Sequence, residues 1–368
     1  MRNAVIGLII GIVAGIVLGT TVIAPRLHRE VNRDAAPMAE AATPHKNQTA
    51  VVKADIPPQT EGARPSSVRL NMASAYGENL ASHGNLAKRL ERTVWRISDG
   101  NLDLRFHPPG ALIAEADAFN AVVSGAIDAY FTDLDGLAEL NPALSLFAGP
   151  PFGASVAAYM GWMADGGGQR AFETALSEMA VDGAICGMVP NAGGGWFRKP
   201  LITVDDLKGL KIRAGGVTAP LYQSLGAVVT GNSYGETLAA METGLLDAAE
   251  LSAPNVDLAL GAAHKGWTYY VPGWRTPAQI FVLLMAQDKW QGLSTIQRTQ
   301  ITTACGDNVR HAIAQSEALQ FEALKKIVAN GVDVRPWPAE IKEAMHNAWQ
   351  SNVQELQQTN RSFAKSMK

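Results

Sequence analysis

From Val68 onward, short apolar runs alternate with stretches of helical period, and most of them close at a glycine. That alternation constrains the fold more than any other feature of the chain. Residues 68–73 form a strand candidate. Leu86, Leu90, Val94 and Ile97 recur at helical spacing, and Gly100 stops that helix. Residues 102–106 alternate as a strand before Pro108, Pro109 and Gly110 turn the chain. Residues 115–123 read as a helix closed by Gly125, and residues 127–131 as a third strand. This β-α-β-α-β order is the unit of an open parallel sheet.

A second round follows. Residues 183–189 and 195–198 are strand-like, separated by a glycine run that begins at Gly193. Thr203 with Asp206 is a capping-box start to a short helix ending at Gly209. Residues 210–214 form a strand, 220–225 a helix, 236–242 a helix stopped by Gly244, and 246–251 a strand. Ile296, Ile301, Cys305, Val309 and Ile313 begin a long helical pattern, and Ile341, Met345, Trp349 and Val353 another. Two α/β lobes with long helices across them accommodate all of this. No internal repeat is visible.

Composition excludes several classes. With 47% hydrophobic and 18% charged residues, the chain is neither wholly disordered nor fibrous. Lys plus Arg number 31 against 34 Asp plus Glu, a net charge of −3, which disfavours a nucleic-acid binder. The two cysteines, Cys186 and Cys305, cannot build a disulfide scaffold. They could pair in an oxidising compartment, but the simpler reading is two small core residues.

Residues 4–24 carry no charge and are almost wholly apolar, long enough for a helix to span a bilayer core of roughly 30 Å. A cleaved signal peptide competes. The length of the run and Pro25 directly after it favour an uncleaved anchor. Gly7, Gly11, Gly15 and Gly19 share one helix face, a pattern that lets two such helices approach closely and makes a homodimer conceivable. Residues 26–67, with Pro37, Pro44, Pro57, Pro58 and Pro65 and no sustained apolar period, read as a linker.

No nucleotide-binding GxGxxG, P-loop, GxSxG, HExxH or CxxC pattern occurs in the expected setting, and the seven histidines are scattered. Enzyme chemistry is therefore unsupported. Arg213, by contrast, ends a strand candidate and precedes Gly215 and Gly216. In open α/β sheets, ligands bind outside the carboxyl ends of strands. A guanidinium there matches a carboxylate in two parallel hydrogen bonds, and nearby glycines let backbone amides approach the same anion.

Residues 194–216 read GGWFRKPLITVDDLKGLKIRAGG, residues 236–250 ETLAAMETGLLDAAE, and residues 109–128 PGALIAEADAFNAVVSGAID. In order and spacing these resemble the solute-binding proteins of TRAP transporters, the tripartite ATP-independent periplasmic family. GGWFRK together with YYVPGW at 269–274 looks most like the branch that binds 2-oxo acids and related monocarboxylates. The resemblance covers about residues 68–360. It implies an α/β, two-lobed periplasmic-binding-protein-like fold with a hinged cleft and a long bracing C-terminal helix. Lobe 1 would take residues 68–190 with a return segment near 278–300, lobe 2 residues 191–277, and the bracing helices residues 301–368.

It also implies no catalysis, and a membrane permease as partner. A small organic carboxylate would pair with Arg213, with Trp196, Asn191, Phe131, Asp133 and Trp274 near it. A cation such as Na⁺ would help hold the ligand, with Glu250 at the position of its acidic ligand. The chain departs from that branch at four places. Asn191 or Ala192 replaces a Gln, and Leu251 replaces a Trp. Asp133 and Asp135 stand in a stretch where tyrosines are expected. Arg275-Thr276-Pro277 follows PGW where an acid is usual. If the cation is lost, Arg275 or a positive part of the ligand could balance Glu250 and the two aspartates. A structural domain retaining the fold without a ligand is the competing reading.

Overall fold

The computed structural model describes residues 67–366, apart from residues 139, 191, 192 and 276. The anchor expected at 1–25, nearly all of the linker expected at 26–67, and Asn191 lie outside the described residues. The strands in chain order are β1 (Val68–Ser74), β2 (Leu102–His107), β3 (Ala129–Asp133), β4 (Val181–Pro190), β5 (Trp196–Phe197), β6 (Lys211–Arg213), β7 (Val228–Thr230), β8 (Ala248–Ala249), β9 (Thr268–Tyr270), β10 (Ala278–Ala286) and β11 (Asp333–Arg335). They form two sheets, one in the order β2-β1-β3-β10-β4 and the other β11-β9-β5-β8-β6-β7.

In the first sheet β2, β1 and β3 run parallel, as the alternation with helices requires. The sheet is nevertheless mixed, which corrects the expectation of an open parallel sheet. Strand β10 enters between β3 and β4 and is antiparallel to both. It arrives from the other sheet, so no helical crossover fixes its direction. Every residue of its AQIFVLLMA run is buried, which explains the continuous apolar pattern. Helix Gly84–Ile97 turns Leu86, Leu90 and Val94 onto this sheet.

The second sheet keeps β8, β6 and β7 parallel, with β5 antiparallel to β8 and β9. The capping box expected at Thr203 and Asp206 is present, opening a short 3₁₀ helix over Val204–Leu207. Ser233 and Glu236 form another ahead of helix Tyr234–Thr243. The chain passes from the first sheet to the second between β4 and β5 and returns between β9 and β10. The glycines of the first crossing serve close packing. A Cβ on Gly193 would collide with the Tyr269 hydroxyl, and one on Gly194 with the Trp337 indole nitrogen.

The third crossing is helix Thr295–Ala329, opened by a capping box of Ser294 and Gln297. It packs against β4 and helices Gly84–Ile97 and Pro254–Leu260 and reaches β11 of the second sheet. Helix Ala339–Thr359 then packs on helix Ala219–Ser224 of the second lobe, and Arg361–Ser366 returns to the first. The C-terminal region is thus not helical throughout, because β11 is an edge strand beside β9.

Cys186 on β4 and Cys305 on helix Thr295–Ala329 are joined as a disulfide, which overturns the reading of two separate core thiols. Beside it, the buried Asn308 amide donates to Cys186 O at 2.8 Å and to Leu86 O at 3.1 Å. Helix, strand and neighbouring helix are therefore fastened at one point. The disulfide closes a loop of 119 residues, so its loss is expected to cost about 5 kcal/mol through the unfolded chain. Cys305→Ser should lower the midpoint of denaturant unfolding accordingly. Iodoacetamide should label neither cysteine of the chain unfolded in denaturant without reductant, and labelling of both would show that the thiols are free.

Candidate functional site

The carboxyl ends of parallel strands from the two sheets open toward one another, the place where α/β folds bind ligands. The loop after β6 meets the helix Leu134–Ala138 that follows β3. A Cβ on Gly216, whose φ is +55°, would come within 3.4 Å of the Asp135 carbonyl oxygen.

Arg213 ends β6. Its Nη1 donates to Glu250 O at 2.7 Å and its Nε to Asn232 O at 3.2 Å. The guanidinium lies 5.2 Å from the centroid of the Tyr234 ring. Both carbonyls are neutral, so they orient the guanidinium without cancelling its charge. Glu250 directly follows β8 and is buried. Its Oε2 accepts from the Thr218 hydroxyl at 2.6 Å and its Oε1 from the Tyr222 hydroxyl at 3.0 Å. Thr218 and Tyr222 are four residues apart, the spacing that aligns side chains on one helix face. Burial pushes the Glu250 carboxyl above its ordinary range, while Arg275, the two hydroxyls and Arg213 pull it back.

From the first lobe, Asp133 accepts from the Tyr76 hydroxyl, from Gln279 Nε2 at 3.4 Å and from the Gly136 amide at 3.2 Å. Asp135 accepts from Arg275 Nη1 at 3.2 Å. Burial raises the Asp135 carboxyl to about 6, with Arg275 opposing and Asp133 and Glu250 adding to the rise. Arg275 is itself buried on the crossing between β9 and β10. Burial alone would lower its affinity for the proton, but Asp135, Glu250, Tyr234 and Asp133 together raise it. At the same junction His83 meets the Ser252 hydroxyl at 3.2 Å, and that hydroxyl donates to Gln279 Oε1 at 3.3 Å. Burial lowers His83 to about 4, so its ring is neutral at pH 7.

Two α/β lobes meeting at a junction rich in ionisable groups have the architecture of a solute-binding protein of the periplasmic type. The family described as bacterial extracellular solute-binding protein, family 7 (DctP), matches residues 72–360, and the chain belongs to it: a solute-binding protein of the TRAP type. Among relatives, it is 28% identical over 278 residues to a monocarboxylate 2-oxoacid-binding periplasmic protein of Nostoc sp., covering 76% of each chain. A TRAP transporter solute-binding protein from Bordetella bronchiseptica superposes with a TM-score of 0.77 at 28% identity, covering 82% of this chain and 89% of that one; it was crystallised with co-purified calcium and picolinate. Another, from Pseudoalteromonas atlantica, holds sodium and pyruvate; it gives a TM-score of 0.75 at 25% identity, with coverage of 82% and 92%.

Of the residues singled out in the sequence, Arg213, Glu250 and Asp133 come together. Trp274 stands at the flank, stacked on Phe152 at 5.4 Å between centroids and tilted against Tyr222 at 6.0 Å. Phe131 and Trp196 do not join the cluster. Phe131 is fully buried and stacks on Phe281, because a central strand of a covered sheet points its aromatic side chains into core. The residues missed are Tyr76, Thr218, Tyr222, Tyr234 and Gln279. Tyr76 supplies a first-lobe tyrosine from the end of β1, where the strand-end rule could have found it.

Trp196 is likewise fully buried, stacked on Tyr269 at 4.1 Å. Its indole N–H donates to Asp257 Oδ2 at 2.8 Å, the Tyr269 hydroxyl to the same oxygen at 3.2 Å, and the Ser252 amide to Oδ1 at 2.8 Å. Burial pushes the Asp257 carboxyl up to about 6 against these three donors. An unfolded aspartate titrates near 3.9. The folded chain therefore binds more protons between these values, and this group's contribution to stability is complete below about pH 4 and lost as pH rises through 6. Asp257→Asn removes that dependence. Thermal unfolding of the variant and the parent from pH 4 to 7 should show their difference shifting in favour of the variant by on the order of 2 kcal/mol. A pH-independent difference would mean that Asp257 titrates normally.

Proposed function

We propose that this chain captures a small organic monocarboxylate, of the 2-oxo-acid or a related class, between its lobes and delivers it to a TRAP permease. The observation that carries this reading is Arg213. Two neutral carbonyls and a tyrosine ring fix its guanidinium at the carboxyl end of β6, and its charge stays available to an anion. Tyr76 and Asp133 stand at the strand ends of the first lobe. Closure of the lobes about the crossings between β4 and β5 and between β9 and β10 would desolvate the arginine–anion pair. A ligand-free structural role gives no reason to hold ionised groups in the junction.

A cation such as Na⁺ or Ca²⁺, as in the neighbouring structures, would use Glu250 here. The donor set does not fit it. Both Glu250 oxygens already receive hydroxyl hydrogen bonds, and among the described residues no group of three or more His, Cys, Asp or Glu side chains could hold a metal ion.

Arg213→Met should fold normally and lose carboxylate affinity by at least about a hundredfold, the cost of a charge-assisted bidentate pair. Calorimetry with a carboxylate selected by thermal-shift screening measures it. Unchanged affinity in the folded variant would remove Arg213 from the site.

We further propose a periplasmic location with residues 4–24 as an uncleaved tether. Among the described residues no helix is long and apolar enough to cross a membrane, so the tether rests on that segment's sequence. The full-length chain should resist carbonate extraction and keep its N-terminal residues by mass spectrometry. Gly11→Ile with Gly15→Ile should weaken any association of the segment in a membrane two-hybrid assay. A mature form lacking residues 1–24 would instead identify a signal peptide.

A further inference from the structure

We infer that Arg275 is the resident cation of this cleft: its guanidinium occupies the space between the carboxylates of the two lobes from which a bound metal ion would act, and makes ligand capture independent of metal. This rests on the reading of the cleft as a carboxylate site.

Three carboxylates from different elements lie near enough to act on one another: Asp133 at the end of β3, Asp135 in the helix after it, and Glu250 after β8. Such a group stays charged only with positive charge inside it; otherwise its members take up protons. Arg275 enters from the crossing between the sheets, where neither lobe alone could place it. It donates to Asp135 of the first lobe at 3.2 Å. Among the influences that oppose burial at Glu250 of the second lobe, it is also the largest, ahead of the Thr218 and Tyr222 hydroxyls and Arg213. One guanidinium thus serves acids from both lobes.

Its position is fixed. Trp274 just before it is wedged against Phe152 and Tyr222, and the Trp274 carbonyl accepts from the Phe152 amide at 3.0 Å. With only 8% of Arg275 exposed, the guanidinium has no room to withdraw from an arriving ion. A mono- or divalent cation directed to Glu250 would meet a like charge, and would find both carboxylate oxygens already engaged by hydroxyls. Arginine cannot deprotonate to relieve that repulsion.

The test titrates CaCl₂, and separately NaCl against choline chloride at constant ionic strength, into the full-length, chelator-treated chain in detergent. Calorimetry and melting temperature are followed. The wild type is expected to give no saturable heat and no stabilisation beyond that in choline. Saturable binding that Glu250→Gln abolishes would overturn the inference. Arg275→Glu should gain saturable calcium binding and lose it again when combined with Glu250→Gln. A folded Arg275→Glu chain that ignores calcium would mean that Arg275 does not hold the ion's place; if this variant does not fold, the wild-type titration decides alone. With a carboxylate found by screening, replacing Na⁺ by choline should leave affinity within about twofold, whereas a tenfold drop would restore the metal. Failure of the parent reading looks different: Arg213→Met would keep its carboxylate affinity whatever calcium does.

Discussion

A carboxylate taken out of water costs several kcal/mol unless donors or a counter-charge meet it. This fold buries Glu250 and Asp257 and much of Asp135 at the junction of its two sheets. The junction satisfies them in different ways. Asp257 receives only neutral donors, from Trp196, Tyr269 and Ser252, and is raised to about 6. Glu250 receives two hydroxyls and the field of two arginines. Asp135 receives a guanidinium directly. The elements that carry these groups cannot shift independently, because each acid draws its partners from a different segment of the chain.

The crossings make that possible. Strand β10 is the middle of the first sheet but is fed from the second, so the residues just before it, Trp274 and Arg275, stand between the lobes. Gly193 and Gly194 let the opposite crossing pass against Tyr269 and Trp337 with no side chain in the way. The disulfide and Asn308 hold helix Thr295–Ala329 to β4 on the first lobe. The same helix runs on to β11 in the second. A change of angle between the lobes therefore has to be absorbed in a few residues of backbone, which is the condition for a hinge rather than a general softening.

Much of this was legible in the sequence. The glycine-punctuated alternation marked β1, β2 and β3 with the two helices between them, and β6, because local period and turn residues decide those elements. Arg213 was legible as a strand-end residue, and Glu250 through the family resemblance. The antiparallel entry of β10 and the short strand β11 were not, since both are set by partners far away in the chain. The packing of Trp196 and Phe131 against other aromatic rings was not legible, because an aromatic residue on a two- or five-residue strand looks the same whether it faces core or cleft. Only the buried Asp257, sixty-one residues beyond Trp196, shows which way that indole turns. Tyr76, Thr218 and Tyr222 were missed for a related reason: a hydroxyl acquires its role from the carboxylate it meets, and the sequence does not announce that meeting.

The two arginines of the cleft show how one side-chain type divides into two roles. Arg213 is held by backbone carbonyls, so its position is paid for without spending its charge. Arg275 is held by an ionised partner, so its charge is already committed to the protein's own acids. An incoming carboxylate therefore finds the stronger attraction at Arg213, while Arg275 sets the background against which it binds. Exchanging the two environments would leave the net charge of the cleft unchanged and yet remove its capacity to recognise an anion. What this site offers a ligand is fixed less by the number of charges it contains than by which of them the fold has left unsatisfied.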